Sequence, residues 1–305
     1  LSATVANRWF IAKRGLALGL MNSANSTGQL IFLPILMAVI VASGWRMGSW
    51  LMVAAAVALI PFVAFWMRDD PAEVGMEPLG SKAGQGSAQG SPGRPERSDR
   101  VPVLKAFKTP TFWLLAGSFF ICGATSGGLI GVHLIPYSID QGIPEVTAAA
   151  TVGIMGGLNF VGTVFAGWAV DRVAARKLLA VVYALRGVSL FILPFVTSGS
   201  GLFLFAVIYG LDWFASVPPT ITLTADSFGK RSVGSVFGWV YLSHQIGAAF
   251  AASAAGVIRV SFGDYQWAFI GGGVLAMVGA CLALLIRTYG EKIPLPSVAP
   301  EMARA

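Results

Sequence analysis

Residues 15–44 read GLALGLMNSANSTGQLIFLPILMAVIVASG, and residues 234–263 read GSVFGWVYLSHQIGAAFAASAAGVIRVSFG. Every glycine of the first stretch recurs in the second at one offset of 219 residues (234 less 15). It pairs Gly15 with Gly234, Gly19 with Gly238, Gly28 with Gly247 and Gly44 with Gly263. The polar pair Asn25–Ser26 falls on His244–Gln245, and the apolar run 47–67 falls on 266–286. A long parallel repeat in a chain this apolar indicates a membrane protein built from two similar halves. About four apolar spans, between 112 and 224, precede the second copy, and shifted back by the same offset they fall before Leu1. The expectation is an N-terminally truncated fragment.

Composition agrees with the membrane. Hydrophobic residues make up 55% of the chain and charged residues 11%, against about 25% charged in soluble domains. A helix needs about 20 apolar residues to cross a bilayer. Eight stretches qualify, near 15–41, 47–67, 112–137, 147–170, 177–197, 201–224, 233–258 and 267–287. The fold expected is therefore all-α, a polytopic membrane helix bundle with eight transmembrane helices. Arg8, Lys13 and Arg14 imitate the start of a signal peptide, but the run behind them is too long and carries Asn22, Asn25 and Gln29.

Positive charge alternates between the loops. Arg8, Lys13 and Arg14, then Arg68 to Lys108, then Arg172, Arg176 and Lys177, then Lys230 and Arg231, then Arg287, Lys292 and Arg304 lie on one side. The other side holds only Arg46 and Arg259. The positive-inside rule makes the crowded side cytoplasmic and puts both ends there, in a multi-pass protein of the cell inner or plasma membrane. The net charge of +7 thus reflects topology and argues against a nucleic-acid partner.

Four segments follow. Residues 1–67 hold the remnant of an N-terminal half with two spans, 68–111 a cytoplasmic linker, 112–290 a C-terminal half with six spans, and 291–305 a cytoplasmic tail. The linker centre, 81–95, is rich in Gly, Ser, Gln and Pro and reads as disordered. Its end, Val103 to Phe107, suits either a short helix at headgroup level or a solvated turn. Pairs at four-residue spacing, Gly15/Gly19, Gly123/Gly127, Gly127/Gly131, Gly153/Gly157 and Gly234/Gly238, are candidates for close helix packing.

Ionisable groups inside a membrane are costly, which makes them functional suspects. Asp212 lies about 16 Å from the outer end of its span and Arg186 about 14 Å from the inner end of the preceding one. Asp212 shares a helix face with Tyr209, Ser216 and Thr220. It either carries a proton or cation, or is neutralised structurally by Arg186; Arg186 itself either forms that pair or binds an anion from the cavity. His244 is central in its span, and with Gln245 it matches Asn25–Ser26 through the repeat. Asn25, Gln29, His244 and Gln245 are substrate-binding candidates, with helix glue as the other reading for amides. Ser126 and His133 share a face with Ile130 and Tyr137, and Asn159 pairs with Thr163. These too are substrate candidates, although the ring of His133 would equally serve a carbonyl freed by Pro136. Cys122 and Cys281 fall inside spans and read as packing residues, not as a disulfide or metal site. No metal site and no cofactor is expected, and His-Glu-x-x-His and nucleophile-elbow patterns are absent, which argues against an enzyme.

The run Gly167-Trp-Ala-Val-Asp171-Arg172-Val-Ala174-Ala175-Arg176-Lys177 resembles the cytoplasmic loop signature of the major facilitator superfamily. Ala174 stands where that signature has a second glycine, and Ala175 where it has a basic residue. Arg14-Gly15-Leu-Ala17-Leu-Gly19 is similar to the entry into the fifth helix of that superfamily, and Gly44-Trp45-Arg46 to the turn after it. The stretch from Phe228-Gly229 to Gly263-Asp264-Tyr265 is similar to the eleventh helix and its flanks. The resemblance covers helices five to twelve of twelve, a six-plus-six arrangement. His133-Leu-Ile-Pro136-Tyr137 and Phe228-Gly229 resemble the monocarboxylate and oxalate–formate branch. The proline-glycine signature of drug antiporters is absent from 15–41, and 147–170 lacks the charged pair common in carboxylate carriers. The resemblance implies that Gly167, Asp171, Arg172 and Arg176 gate the halves on the cytoplasmic side, and that the spans holding Asn25 and His244 line a central cavity. It implies a secondary active transporter, symporter or antiporter, for a small organic anion such as a monocarboxylate. Asp212 or His244 would exchange the coupling proton, and the full-length protein would be a monomer in the lipid bilayer. A non-transporting sensor or assembly protein on the same fold is the alternative.

Overall fold

The structure is a computed structural model that describes residues 42–68, 70–79 and 101–286 together with scattered positions between 5 and 40. Among the described residues the chain is nearly all helix. The helices are α1 (Trp45–Trp66), the short α2 (Val103–Ala106), α3 (Pro110–Cys122), α4 (Gly131–Asp140), α5 (Glu145–Val170), α6 (Ala175–Ile192), α7 (Gly199–Asp212), α8 (Val217–Phe228), α9 (Val233–Phe262) and α10 (Gln266–Leu285). Seven helical stretches among these residues are long and apolar enough to cross a membrane. Eight were expected. Most of the remaining span, 15–41, lies outside the described residues, as do Asn25, Gln29, the linker centre 81–95 and the tail 291–305.

The bundle is apolar outside and polar within, the arrangement a bilayer requires. Val260, Phe195 and Phe65 are exposed, whereas Arg186, Ser126, Thr163, Thr220 and Thr224 are buried. One turn of the repeat is visible in full. Gly44 and Gly263, partners at the 219-residue offset, both have positive φ (81° and 83°). Each N–H bonds the carbonyl four residues back, Gly44 to Ile40 at 2.8 Å and Gly263 to Arg259 at 3.0 Å. Only glycine enters that region at little cost, but the turns differ, since ψ is 166° at Gly44 and −9° at Gly263.

The span Pro110–Asp140 starts with Thr109, whose side chain accepts from Phe112 N–H, and with Pro110 in the first turn. In its middle, Gly123–Ile130 is π-helical and joins α3 to α4. The hydroxyls of Thr125 and Ser126 donate back to the carbonyls of Ile121 and Cys122 at 2.7 and 2.6 Å, competing with the α-helical ladder. The glycines there seat α9. A Cβ on Gly123 would meet the His244 carbonyl oxygen, one on Gly128 that of Ala248, and one on Gly247 that of Phe120.

The expected single span 201–224 is present as Gly199–Phe228, with an irregular turn inside it. The chain turns between Asp212 and Val217, because Pro218 and Pro219 carry no N–H to continue the helical ladder. Asp212 therefore ends α7, and the single helix face from Tyr209 to Thr220 does not exist as such. Tyr209 and Ser216 nevertheless both meet α3, through Thr125 O at 2.9 Å and Cys122 Sγ at 3.1 Å.

One other expectation is corrected. A Cβ on Gly153, Gly157 or Gly238 would meet nothing within 4 Å, so these glycines do not mediate close contacts here. The tight α5–α7 crossing uses Gly162 against Leu211 O and Gly210 against Met155 instead. At the linker end the helix alternative holds. Ala106 of α2 is fully buried, Phe107 packs edge-on against Phe112 and Trp239, and Val101 N–H reaches Ser232 Oγ at 2.8 Å.

Candidate functional site

Arg186 of α6 is 0% exposed and spends its donors in four directions. Nε donates to Asp212 Oδ2 at 2.7 Å, Nη1 to Cys122 Sγ at 3.1 Å, and Nη2 to the carbonyls of Asp212 and Trp213 at 2.9 and 3.0 Å. The guanidinium thus neutralises Asp212 and caps the Trp213 carbonyl, while sharing the Asp212 carbonyl with Ala215 N–H at 3.1 Å. The opposite lip of the break is held by Asn159, whose Oδ1 accepts from Phe214 N–H and from Thr163 Oγ1, each at 3.0 Å. Of the two sequence readings of Arg186, the geometry here is that of the buried pair, since its donors point inward. Asp212 Oδ1 and Trp213 Nε1 are buried at the same break with no hydrogen-bond partner.

His244 lies on α9 where that helix seats on Gly123. Its Nδ1 lies 3.1 Å from Gln245 Oε1, and its ring lies 4.9 Å from that of Phe119. Tyr241, exposed, stacks on the imidazole at 5.4 Å and 4°. Gln245 is exposed as well, while His244 is 5% exposed. The structure pairs Arg186 with Asp212 and, separately, His244 with Gln245. Cys122 packs in the core as expected, and its sulfur also accepts from Arg186 Nη1, with Ser216 Oγ 3.1 Å away. Cys281 is exposed.

Ser126 and His133 are placed differently from expectation. Ser126 is fully buried, with its hydroxyl donated to Cys122 O. His133 Nε2 pairs with the Ala252 carbonyl at 2.8 Å and Nδ1 with the Tyr265 hydroxyl at 3.3 Å, tying α4 to α9 and α10. Neither ring nitrogen serves a carbonyl freed by Pro136. Burial holds the Tyr265 phenol above its ordinary range, so it stays protonated at neutral pH. Beside it, Arg259 grips Asp140 with Nε at 2.7 Å and Nη2 at 3.1 Å. No cluster of His, Cys, Asp and Glu among the described residues has the makeup of a metal site.

At the other end, Asp171 Oδ2 accepts from Leu16 N–H at 3.1 Å. A Cβ on Gly19 would lie 2.8 Å from Thr163 O and 3.1 Å from Gly167 Cα, so Gly167 is where the first repeat copy seats on α5. Arg172 lies over the Trp168 ring at 4.1 Å and donates to Trp168 O, and Arg176 stands in the first turn of α6.

The sequence profile of the Major Facilitator Superfamily matches residues 1–252 and, overlapping, 160–302. The chain belongs to that superfamily. It is 26% identical to Monocarboxylate transporter 12-B of Danio rerio over 294 residues, covering 90% of this chain and 61% of that one. It is 24% identical to the Oxalate:formate antiporter of Oxalobacter formigenes over 298 residues, covering 94% and 65%. The chain thus spans about three fifths of the length of these curated relatives. Among solved structures it is similar to the Fucose:proton symporter of E. coli, with a TM-score of 0.65, 16% identity, and coverage of 94% and 72%. That likeness establishes the fold. The chain is accordingly a multi-pass membrane protein of a transporter family.

Proposed function

We propose that the chain forms part of a secondary active transporter that moves a small organic anion, of the monocarboxylate kind, by alternating access coupled to a proton. Its two halves, six helices each in the whole protein, rock about a midplane site, and both ends of the chain face the cytoplasm of a plasma or inner membrane. The observation that carries this reading is the buried ion pair of Arg186 and Asp212 at the α7–α8 break. Such groups in mid-bilayer are expensive, and discontinuous helices mark transporter sites. Asp212 Oδ1 is unpartnered and so is open to a proton, and His244, paired with Gln245, is the second proton candidate. An anion moving together with a proton crosses without net charge. Gln245, His244 and, from the first repeat copy, Asn25 and Gln29 contact substrate; the contact of Asp171 with Leu16 closes the cytoplasmic side. The names of the curated relatives support the substrate class.

The test is uptake of labelled organic acids by the full-length protein in proteoliposomes, with and without an inward-acid pH gradient. Gradient-stimulated uptake of a monocarboxylate is expected, and Asp212→Asn should abolish the stimulation while leaving substrate exchange. Stimulation that survives both Asp212→Asn and His244→Ala would remove the proton role.

A further inference from the structure

The segment that leads into α3 is held in place yet turns an apolar and basic face outward. Val101 N–H donates to Ser232 Oγ at 2.8 Å, Thr109 Oγ1 to Ala106 O at 2.7 Å, and Trp113 Nε1 to Phe107 O at 2.9 Å. Ala106 is fully buried, which fixes the face that α2 turns inward. Leu104, Lys105 and Lys108 stand together on another face, within about 100° of arc at 3.6 residues per turn. Leu104 is 75% exposed and Trp113 63%. Trp239, also exposed, joins them through its edge-on contact with Phe107 at 5.4 Å. Both lysines are exposed, and neither ammonium has a partner among the described residues. Single apolar residues scattered on a surface need no explanation, whereas a leucine and two tryptophans fixed beside one another do. Indole rings near the end of a span lie at headgroup depth, and lysine stems run along acyl chains while their charges reach outward.

We propose that α2 and the first turn of α3 form a binding site for an anionic phospholipid. An acyl chain lies against Leu104 and Trp113, and the headgroup phosphate lies between Lys105 and Lys108. The indole N–H of Trp113 is already spent on Phe107 O, so that residue offers the lipid its ring and no donor. Selection by charge therefore rests on the two lysines. A zwitterionic headgroup brings its own ammonium, which they repel, whereas an anionic one brings net negative charge. Each lysine favours the anionic lipid by about fivefold. The site requires only that the chain lies in a membrane, and transport plays no part in it.

The experiment places the full-length protein in nanodiscs of phosphatidylcholine that carry a small fraction of lipid with brominated acyl chains, either phosphatidylglycerol or phosphatidylcholine. Bromine quenches tryptophan fluorescence on contact, and the share due to Trp113 is the difference from Trp113→Phe. At equal mole fraction, brominated phosphatidylglycerol should quench that share several-fold more than brominated phosphatidylcholine. In the double variant Lys105→Gln/Lys108→Gln the two lipids should quench alike, with the phosphatidylcholine signal unchanged. Both lysines are exposed, so this variant keeps the fold. The proposal is overturned if Trp113 is quenched equally by both lipids in the parent, or by neither. It is equally overturned if the excess for phosphatidylglycerol survives the loss of both lysines. Comparing the two lipids on the parent and on the lysine variant requires no change at Trp113, so the last outcome is read even if Trp113→Phe does not fold.

Discussion

Asp171 accepts a hydrogen bond from the backbone N–H of Leu16, 155 positions earlier in the chain, at 3.1 Å. A carboxylate at the first turn of a helix satisfies an orphan donor and faces the positive end of the helix dipole. Here the carboxylate comes from the end of α5, so the cap of one segment is a clamp between two.

Asp171→Ala in the full-length protein should weaken that clamp by about 1 kcal/mol, roughly fivefold in the balance between closed and open states. With Ala17→Cys as a reporter at a buried position beside the clamp, labelling by a water-soluble maleimide should accelerate by that factor. Unchanged labelling would mean that Asp171 does not hold this face shut.

Arg186 and Asp212 are unequal partners. Arg186→Met strands the Trp213 carbonyl and a carboxylate, whereas Asp212→Asn removes one charge and keeps the side-chain volume. The first change should cost about 3–5 kcal/mol and the second distinctly less. The double variant should recover only part of the loss, since the carbonyl of Trp213 remains uncapped. Thermal unfolding in micelles ranks the three, and full recovery in the double variant would show that charge pairing alone matters.

Gly247→Ala and Gly123→Ala push a methyl into a backbone carbonyl that cannot rotate away, and each should cost about 1–3 kcal/mol or prevent folding. Gly157→Ala places the same methyl in open space and should be neutral or slightly stabilising through its helix preference. A melting temperature lowered equally by all three would contradict the assigned α3–α9 crossing.

His133→Ala breaks two links, to Ala252 and to Tyr265, and should destabilise by about 1–3 kcal/mol. Tyr265→Phe breaks one and should cost less. If His133 contacts substrate instead, His133→Ala will change apparent substrate affinity with no shift in melting temperature.

Much of this was readable from spacing. The 219-residue offset pairs Gly44 with Gly263, and both adopt positive φ, although their ψ angles differ. The Asp212–Arg186 pairing followed from matched depth in adjacent spans. The break in 201–224 was also written in the chain, at Pro218-Pro219, but hydropathy averages over such residues and hid it. Cys122 was harder. A cysteine in an apolar run has no pattern of its own, and its partners Arg186 on α6 and Ser216 in the α7–α8 turn come from elements whose mutual rotation no local periodicity encodes. Ser126 misled because a hydroxyl on the right face can satisfy its own helix instead of a ligand.

The inward spread of Arg186 bears on how the protein is made. An arginine at the centre of a helix costs about 2.5–3.5 kcal/mol to insert, and the groups that balance it in α6 lie on Asp212, 26 positions later, and on Cys122 in α3. α6 leaving the ribosome therefore has no carboxylate to meet until α7 has also emerged. It follows that α6 and α7 enter the bilayer as a hairpin held at the translocon rather than one after the other. A ribosome stalled between residues 192 and 212 should leave α6 poorly inserted, and one stalled past the end of α8 should show it fully integrated.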